Sequence, residues 1–357
     1  MAGALTRVRE GRLMQVSSAD QRKAPGQMRH SQHAVAIGID LGGTDIKSGL
    51  VAADGSVLFR ESIPTESHGG PRHVIARMIG LVQSLRTQAE RLGHEAVAIG
   101  VGAPGSIRAH RGVVISPPNL PGWIEEPVVA PVSEATGLPV TLDNDANCAM
   151  LGEHWRGAGR GTTDMAMLTL GTGIGGGLIL NNAIWRGRFE NAGELGHTIV
   201  ELNGRPCKCG QRGCLESYAS ATHTANRAAE RVSAGEASML AEVLRANGRL
   251  TARDVVAAAR NGDTLATEVW SDTCRYLAMA CVTLTHTLNL ERIILAGGMC
   301  AAGDDLLGGV RRHFAELMWP SLGDWPEIVL AELGNDAGFI GSAYLAIECV
   351  ARSVSGR

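Results

Sequence analysis

Residues 34–51, AVAIGIDLGGTDIKSGLV, predict a strand, a glycine turn and a second strand. Gly42 and Gly43 carry no side chains, so backbone N–H groups in this turn are free to approach a phosphate. Thr44 adds a hydroxyl donor, and Asp40, at the end of the first strand, is placed to orient a magnesium ion through water. A plain hairpin with a glycine turn has the same pattern, so this stretch alone leaves nucleotide binding open.

A second stretch repeats the pattern. Residues 170–180, LGTGIGGGLIL, again place glycines and a threonine between two apolar strands. In dinucleotide-binding folds a helix follows such a glycine pattern directly, whereas here the chain continues as strand and turn. Two copies of one phosphate-binding hairpin predict two related domains that close on a nucleotide.

Length and composition agree with two domains. The chain has 357 residues, of which 45% are hydrophobic and 19% charged, as in ordinary globular proteins. The net charge of −3 argues against general nucleic-acid or membrane-surface binding. No apolar run approaches the roughly 20 residues of a membrane helix. Most cysteines are scattered among apolar residues, which favours reduced thiols and a cytoplasmic location.

Residues 1–33 differ from the rest of the chain. They carry a clear excess of arginine and lysine over acids and show no sustained apolar period. A disordered N-terminal extension is the expectation, with an amphipathic targeting arm as the alternative. A secretory signal is not expected, because the segment lacks an apolar core.

Two irregular segments follow a helix predicted over residues 71–92. Residues 102–105, GAPG, end a strand, and loops at such strand ends hold ligands in open α/β sheets. Residues 116–123, SPPNLPGW, contain three prolines and therefore cannot form a helix or a central strand. They offer the amide of Asn119 beside an aromatic ring. A rigid linker loop is the alternative.

An acid-and-amide cluster, DNDAN at residues 143–147, lies between a strand predicted over 138–142 and a helix predicted over 149–155. Either Asp143 or Asn144 alone would be interpreted as a helix N-cap. Carboxylates beside amides favour catalysis instead, with one group to take a proton and another to fix a hydroxyl.

Residues 194–216, ELGHTIVELNGRPCKCGQRGCLE, contain His197, Cys207, Cys209 and Cys214, the donor set of a closed tetrahedral zinc site. With every metal position filled by protein, such a zinc is structural, and it would hold the flanking Glu194 and Glu216 where a polar ligand meets them. A disulfide pair and unrelated buried thiols are the alternatives.

The last third is predicted to be mostly helical. Thr251 and Asp254 form a capping box, and an apolar stripe predicts a helix over residues 264–288. A third glycine turn, at residues 297–299, is a place for adenosine to lie against backbone. The final helix is predicted to begin near Asp336, with core packing as its role.

Seven motifs together resemble the ROK family of bacterial sugar kinases, most closely its glucokinase members. They cover nearly the whole chain from residue 34 to residue 348 and are DLGGT (40–44), GAPG (102–105), PNLPGW (118–123), DNDAN (143–147), GTGIGGG (171–177), AGELGH (192–197) and CKCGQRGCLE (207–216). DLGGT alone is shared with the wider actin-like ATPase fold, whereas the cysteine motif with its upstream histidine is highly specific.

The resemblance implies an α/β, two-domain actin-like ATPase (ribonuclease H-like) fold with a cleft between the domains. It implies a small domain over residues 34–142 completed by a C-terminal helix at 337–351, and a large domain over 143–336 with a zinc-binding insertion at 194–216. It also implies ATP, Mg²⁺ and structural Zn²⁺, action in the cytoplasm, and a homodimer or homotetramer.

The same resemblance assigns roles to residues. Asp145 is the expected general base. The expected sugar ligands are Gly105, Asn119, Asn144, Asp145, Glu194, His197 and Glu216. The expected nucleotide-site residues are Asp40, Gly42, Gly43, Thr44, Lys47, Gly171, Thr172, Gly173 and Gly298. The expected zinc ligands are His197, Cys207, Cys209 and Cys214.

Three functions compete at this point. The first is an ATP-dependent glucokinase that phosphorylates the 6-hydroxyl. The second is a kinase of the same family for fructose, mannose, N-acetylmannosamine or N-acetylglucosamine, and polyphosphate as donor stays open. The third is a catalytically silent sugar-sensing regulator, which the intact DNDAN motif disfavours. The first 33 residues are also too few for the winged helix of ROK repressors.

Overall fold

The computed structural model describes residues 33–117 and 119–355. The disordered extension predicted over residues 1–33 lies outside the described residues except for His33, and Pro118 of the PNLPGW motif is also outside them. The fold is mixed α/β, as predicted, and is built on two five-stranded sheets, with a small three-stranded sheet in addition.

The first half of the chain forms the first five-stranded sheet, the small three-stranded sheet and the helices beside them. Its elements are β1 (Ala34–Leu41), β2 (Asp45–Ala52), β3 (Val57–Pro64), α1 (Gly70–Arg91), β4 (Glu95–Ala103), β5 (Ser106–Arg108), β6 (Val113–Ser116), β7 (Glu126–Pro127), α2 (Val129–Thr136), β8 (Val140–Asn144) and α3 (Asp145–Arg156).

The second half carries the second sheet and most of the helices. Its elements are β9 (Met165–Leu170), β10 (Ile174–Leu180), β11 (Ala183–Ile184), α4 (Glu216–Ala219), α5 (Ala221–Ser233), α6 (Leu240–Asn247), α7 (Ala252–Arg260), α8 (Thr264–Leu288), β12 (Arg292–Ala296), α9 (Asp304–Leu317), β13 (Glu327–Leu330) and α10 (Ala337–Ser355). The capping box at Thr251 and the helix over residues 264–288 are confirmed.

The two sheets share one topology. The first has the strand order β3-β2-β1-β4-β8 and the second the order β11-β10-β9-β12-β13. In each, the glycine-turn hairpin is antiparallel, and the later strands add to it in parallel. The repeated hairpins of the sequence therefore belong to two halves with the same strand order, which is the two-domain architecture predicted.

The C-terminal helix α10 returns to the first sheet. A Cβ placed on Gly38 would lie 1.9 Å from the backbone oxygen of Phe339, and one on Gly100 would lie 1.8 Å from that of Ser342. The Ser342 hydroxyl also accepts a 3.1 Å hydrogen bond from the backbone N–H of Ile39. The two glycines thus permit direct helix-on-strand contact. The domain boundaries stay a prediction. This packing supports the part that joins the C-terminal helix to the small domain, whereas the predicted boundary after residue 142 falls inside β8, whose Asp143 and Asn144 still pair with β4.

Helices α3 and α10 cross at a point where their backbones almost touch. A Cβ on Gly341 of α10 would lie 1.7 Å from the oxygen of Cys148, and one on Gly152 of α3 would lie 2.3 Å from that of Ala337. Helix α3 also buries Met150 against Met165 of the second sheet. The crossed pair therefore joins the two halves.

The second sheet is covered by the largest apolar core, to which helices α5 to α9 contribute. Fully buried residues such as Val255, Leu277 and Leu306 come from different helices and pack over the buried strand β12. None of the helices in the described ranges is long and apolar enough to cross a membrane.

Candidate active site

A cavity of about 760 Å³ opens between the two sheets. Most of the predicted site residues line it, namely Asp40, Lys47, Gly105, Asn119, Asn144, Asp145, Gly171, Thr172, Gly173, Glu194, His197 and Glu216. The predicted base, sugar ligands and part of the predicted nucleotide site thus face one cleft.

The DNDAN junction has no loop in it, because β8 ends at Asn144 and α3 begins at Asp145. The prediction that the helix starts at residue 149 is therefore wrong. Asn144 is the N-cap, and its side-chain oxygen accepts hydrogen bonds from the N–H groups of Ala146 and Asn147 at 2.9 and 3.2 Å. The cap sets Asp145 at the first helical position, where the helix dipole favours negative charge.

Asp145 shares the cleft with other carboxylates. Burial, and then the neighbouring carboxylates of Asp40 and Glu194, raise the pKa of Asp145 from 3.8 to about 7. Burial also raises the pKa of Asp40, although the ammonium group of Lys47 opposes this. A carboxylate whose pKa lies near neutral has the basicity that a general base needs at physiological pH.

The buried Asp143 stabilises the junction through hydrogen bonds. Its Oδ1 accepts hydrogen bonds from the N–H of Asn144 at 2.8 Å and from Nδ2 of Asn147 at 2.9 Å. Its Oδ2 accepts from Nε of Arg186 at 2.8 Å. Asp143 and Asn147 both belong to the predicted acid-and-amide cluster, whereas nothing in the sequence pointed to Arg186.

Three of the predicted sugar ligands converge from different parts of the chain. Glu194 precedes a short 3₁₀ turn, Leu195–His197, which His197 ends, and Glu216 begins α4. Across the cleft, the carbonyl of Gly105 accepts a 3.1 Å hydrogen bond from Nδ2 of Asn144. Gly105 has φ +80°, and a Cβ there would lie 2.7 Å from Pro117, so the position requires glycine.

The histidine and cysteine side chains of residues 197–214 form a compact knot. The ligand atoms of His197, Cys207, Cys209 and Cys214 all lie within 4.8 Å of one another. Nδ1 of His197 is 3.7 Å from Sγ of Cys207, and the sulfurs of Cys209 and Cys214 are also 3.7 Å apart. All cysteines of the chain are free, so the disulfide alternative is wrong.

These four groups fit a zinc ion. Tetrahedral Zn–S and Zn–N bonds of about 2.0–2.3 Å put ligand atoms roughly 3.3–3.8 Å apart. Two pairs of ligand atoms in the knot lie 3.7 Å apart, and all four atoms lie within 4.8 Å of one another. Burial and the adjacent thiols raise the pKa of Cys214 to about 12 when no cation is present. A divalent cation would stabilise the thiolates that so close a cluster otherwise disfavours.

The second glycine turn lies beside this knot. The backbone N–H of Ile174 donates a 2.9 Å hydrogen bond to Oε2 of Glu216. A Cβ on Gly173 would lie 2.3 Å from the same oxygen, so a side chain at this position would displace the carboxylate. Glu216 therefore connects the predicted sugar ligands with the predicted phosphate turn.

The first glycine turn has a different place. The cavity is not lined by the turn residues Gly42, Gly43 and Thr44, nor by Gly298 of the third turn. A Cβ on Gly43 would lie 2.8 Å from Cβ of Asn119, so this turn packs against the Asn119 loop.

Within the predicted third turn, residues 297–299, the cavity is lined by Gly297 and not by Gly298, the residue expected at the nucleotide site. Gly297 has φ +90°, and a Cβ there would lie 2.5 Å from the backbone oxygen of Leu170. The third turn therefore lies directly against the end of β9, where the second turn begins.

The start of α10 is a further part of the cleft that the sequence did not reveal. Core packing is confirmed for this helix, but Ala337 and Gly338 in its first turn also line the cavity. A Cβ on Gly338 would lie 2.7 Å from Oδ2 of Asp40. Nearby, Nζ of Lys47 donates a 3.2 Å hydrogen bond to Oδ1 of Asn335. A helix N-terminus and a lysine together favour an anion in this part of the cleft.

Two sheets of one topology around a polar cleft define a protein of the actin-like two-domain class. The ROK family model matches residues 36–349, and the chain belongs to the ROK family. It is 39% identical over 310 residues to a glucokinase of Halalkalibacterium halodurans, covering 87% of this chain and 94% of that protein. It is 38% identical over 312 residues to a glucokinase of Thermotoga maritima, covering 87% and 97%.

A solved structure agrees with these relatives. The crystal structure of a ROK family glucokinase from Streptomyces griseus in complex with glucose and AMPPNP superposes with a TM-score of 0.73 at 32% identity. The match covers 87% of this chain and 99% of that one. The predicted family and fold class are therefore confirmed.

Proposed function

We propose that this chain is an ATP-dependent glucokinase that phosphorylates the 6-hydroxyl of glucose. The observation that carries the proposal is the shared cleft, in which Asp145 at the start of α3 faces Glu194, His197 and Glu216. The two glucokinases that are 39% and 38% identical to this chain support the activity. The glucose and AMPPNP of the Streptomyces griseus structure support the two ligands.

In the proposed reaction, Asp145 accepts the proton of the sugar hydroxyl. The hydroxyl oxygen forms a bond to the γ-phosphorus of ATP, and the bond from this phosphorus to the bridging oxygen breaks, so that ADP leaves. Most of the catalysis is positioning and charge stabilisation. A magnesium ion, when bound beside Asp40 with the phosphates, would neutralise part of their charge.

The sugar would be held by groups that form several hydrogen bonds at once. Carboxylates of Glu194 and Glu216 accept from hydroxyl groups, whereas the amides of Asn119 and Asn144 both donate and accept. A site of this kind rejects sugars that lack a hydroxyl, because its polar groups would then be left unpaired.

We also propose that His197, Cys207, Cys209 and Cys214 hold one structural zinc ion. The spread of the ligand atoms, within 4.8 Å, supports this. Because Nδ1 of His197 faces the sulfurs while the residue also lines the cleft, its Nε2–H remains available to the sugar. The metal would thus fix the tautomer of a sugar ligand.

A kinetic assay tests the proposed function directly, with ADP release measured when ATP is the donor and sugar phosphate formation measured when polyphosphate is the donor. Purified protein is given glucose, mannose, fructose, N-acetylmannosamine and N-acetylglucosamine in turn, each with ATP and with polyphosphate. We expect the highest kcat/KM with glucose and ATP. Faster turnover of another sugar would select the second function, and sugar binding without any turnover would select the silent regulator.

Two further proposals concern the assembly and its location. A homodimer or homotetramer remains a proposal, which light scattering coupled to size-exclusion chromatography tests. Action in the cytoplasm likewise remains a proposal, supported by cysteines that are free and mostly buried.

A further inference from the structure

Arg186 forms an ion pair that joins the two halves of the molecule. It follows β11 on the second sheet, and its Nε and Nη2 both donate to Oδ2 of Asp143 on β8, the edge strand of the first sheet. The N–H of the preceding Trp185 donates a 2.8 Å hydrogen bond to the carbonyl of Leu178. The start of this segment is therefore fixed to the second sheet.

The other oxygen of Asp143 belongs to the catalytic junction. Oδ1 accepts hydrogen bonds from the N–H of Asn144 and from the side chain of Asn147, which flank Asp145. The carboxylate of Asp143 is 2% exposed, so its orientation is set by these contacts and not by water. The Asp143 carboxylate thus accepts hydrogen bonds both from Arg186, which follows the second sheet, and from the start of the helix that carries Asp145.

Other contacts from the same segment are weaker. Nδ1 of His110 lies 2.8 Å from Oε2 of Glu190, but the histidine is 65% exposed. Nη1 of Arg108 donates to Oδ1 of Asn191 at 3.3 Å. Exposed ion pairs and long hydrogen bonds contribute little, whereas a guanidinium fork on a buried carboxylate is directional and strong. Arg186 is therefore the contact that fixes this segment to the first sheet.

We propose that Arg186 is a positioning residue for phosphoryl transfer: it fixes Asp143, and through it Asn144 and Asp145, relative to the half that carries the second glycine turn. This inference rests on the proposed kinase function. Proton acceptor and phosphate turn belong to different halves, so their distance depends on the contacts that join the halves. A displacement of about 1 Å is enough to cost roughly 10²-fold in rate.

The test is the steady-state kinetics of Arg186→Ala. We expect kcat to fall about 10²-fold while KM for glucose changes less than roughly 10-fold, because the predicted sugar ligands Glu194, His197 and Glu216 belong to the other half and do not depend on Asp143. Added guanidinium ion should restore at least about a tenth of the lost rate by occupying the vacated site. Arg188→Ala is the matched control, since this exposed arginine makes no hydrogen bond or ion pair with any residue the structure describes. It should keep full activity.

A double variant separates positioning from neutralisation of a buried charge. Arg186→Ala leaves Asp143 unpaired and is expected to unfold more easily, whereas Arg186→Ala with Asp143→Asn has no buried charge and keeps the acceptor for Asn144. We expect the double variant to melt near the wild-type temperature and to keep a kcat at least about 10-fold below wild type.

Two results would overturn the inference. The first is wild-type kcat in Arg186→Ala, and the second is full recovery of kcat in the double variant. A wild-type protein without any sugar kinase activity would instead refute the proposed function, so the two failures are distinguishable.

Discussion

The backbone N–H of Ile174 lies 2.9 Å from Oε2 of Glu216 and donates a hydrogen bond to it. Glu216 comes two residues after the last cysteine of the knot, and Ile174 follows the second glycine turn directly. A single carboxylate therefore connects the candidate zinc site with the candidate phosphate turn, while its Oε1 remains for a sugar hydroxyl.

Glu216→Ala should consequently raise KM for both glucose and ATP, whereas Glu194→Ala should raise KM for glucose alone. Loss of the Glu216 carboxylate leaves the Ile174 N–H without its acceptor, which costs about 1–3 kcal/mol and loosens the turn. Glu194 lines the same cavity, but its carboxylate makes no hydrogen bond within the described residues. Initial-rate kinetics with each substrate varied in turn would measure both effects. An equal KM for ATP in the two variants would contradict the connection between Glu216 and the phosphate turn.

Asp145→Asn should abolish most turnover and leave sugar binding almost intact. The amide keeps the size and hydrogen-bonding capacity of the side chain but cannot take the proton. General-base catalysis is worth about 10²–10⁴-fold, so kcat should fall by that factor. Isothermal titration with glucose provides the control for binding. Near-normal turnover in this variant would show that another group accepts the proton.

The pH dependence follows from the protonation of Asp145. Burial and the adjacent Asp40 favour the neutral acid and raise the pKa of Asp145 to about 7, and only the ionised form accepts a proton. Log kcat/KM should therefore rise with a slope of about one below a midpoint near pH 7 and level off above it. In Asp40→Asn the midpoint should move to lower pH, because one neighbouring negative charge is gone. If the midpoint does not move, the rise of kcat/KM with pH reports the ionisation of another group.

The zinc proposal predicts one tightly bound ion per chain and its loss in Cys209→Ser. Cys209 is exposed, so the substitution changes little packing and acts through the metal. Without the ion, no bond holds the side chains of the knot together and the 3₁₀ turn with His197 loses its fixed orientation, so KM for glucose should rise at least about 10-fold. Elemental analysis and kinetics measure the two quantities. Cys349→Ser, on α10 and outside the knot, should retain both zinc and affinity. Metal-free protein with full sugar affinity would exclude the structural role.

Much of the fold was predictable because its signals are local. Each glycine turn lies between two apolar runs, and the four ligands of the knot fall within 18 residues of one another, so spacing alone indicates both. The bounds of α8 follow from its apolar period and from Asp263, which caps the helix by accepting from the N–H of Ala266.

The remainder depends on contacts between distant residues. Arg186 and Asp143 are 43 positions apart, and nothing near either residue indicates the other. No sequence motif marks Gly338, yet the absence of a side chain there lets the Asp40 carboxylate pack against the start of α10. Asp40 lies nearly 300 residues earlier in the chain. The start of α3 was placed too late because the Asn144 side chain replaces the missing backbone acceptors, and sequence alone does not show which of several polar residues does so.

The crossing of α3 and α10 gives a matched pair of stability predictions. A Cβ on Gly341 would lie 1.7 Å from the backbone oxygen of Cys148, so Gly341→Ala must force the two helices apart. Overpacking usually costs about 1–3 kcal/mol, and contact with backbone places this variant at the upper end or beyond. Gly308→Ala is the control, because this exposed glycine of α9 has open space around it and alanine is the better helix former by roughly 0.5–1 kcal/mol. Thermal unfolding should show a clearly lower midpoint for Gly341→Ala and an equal or higher one for Gly308→Ala. Similar midpoints for the two variants would mean that the helices do not cross as closely as described.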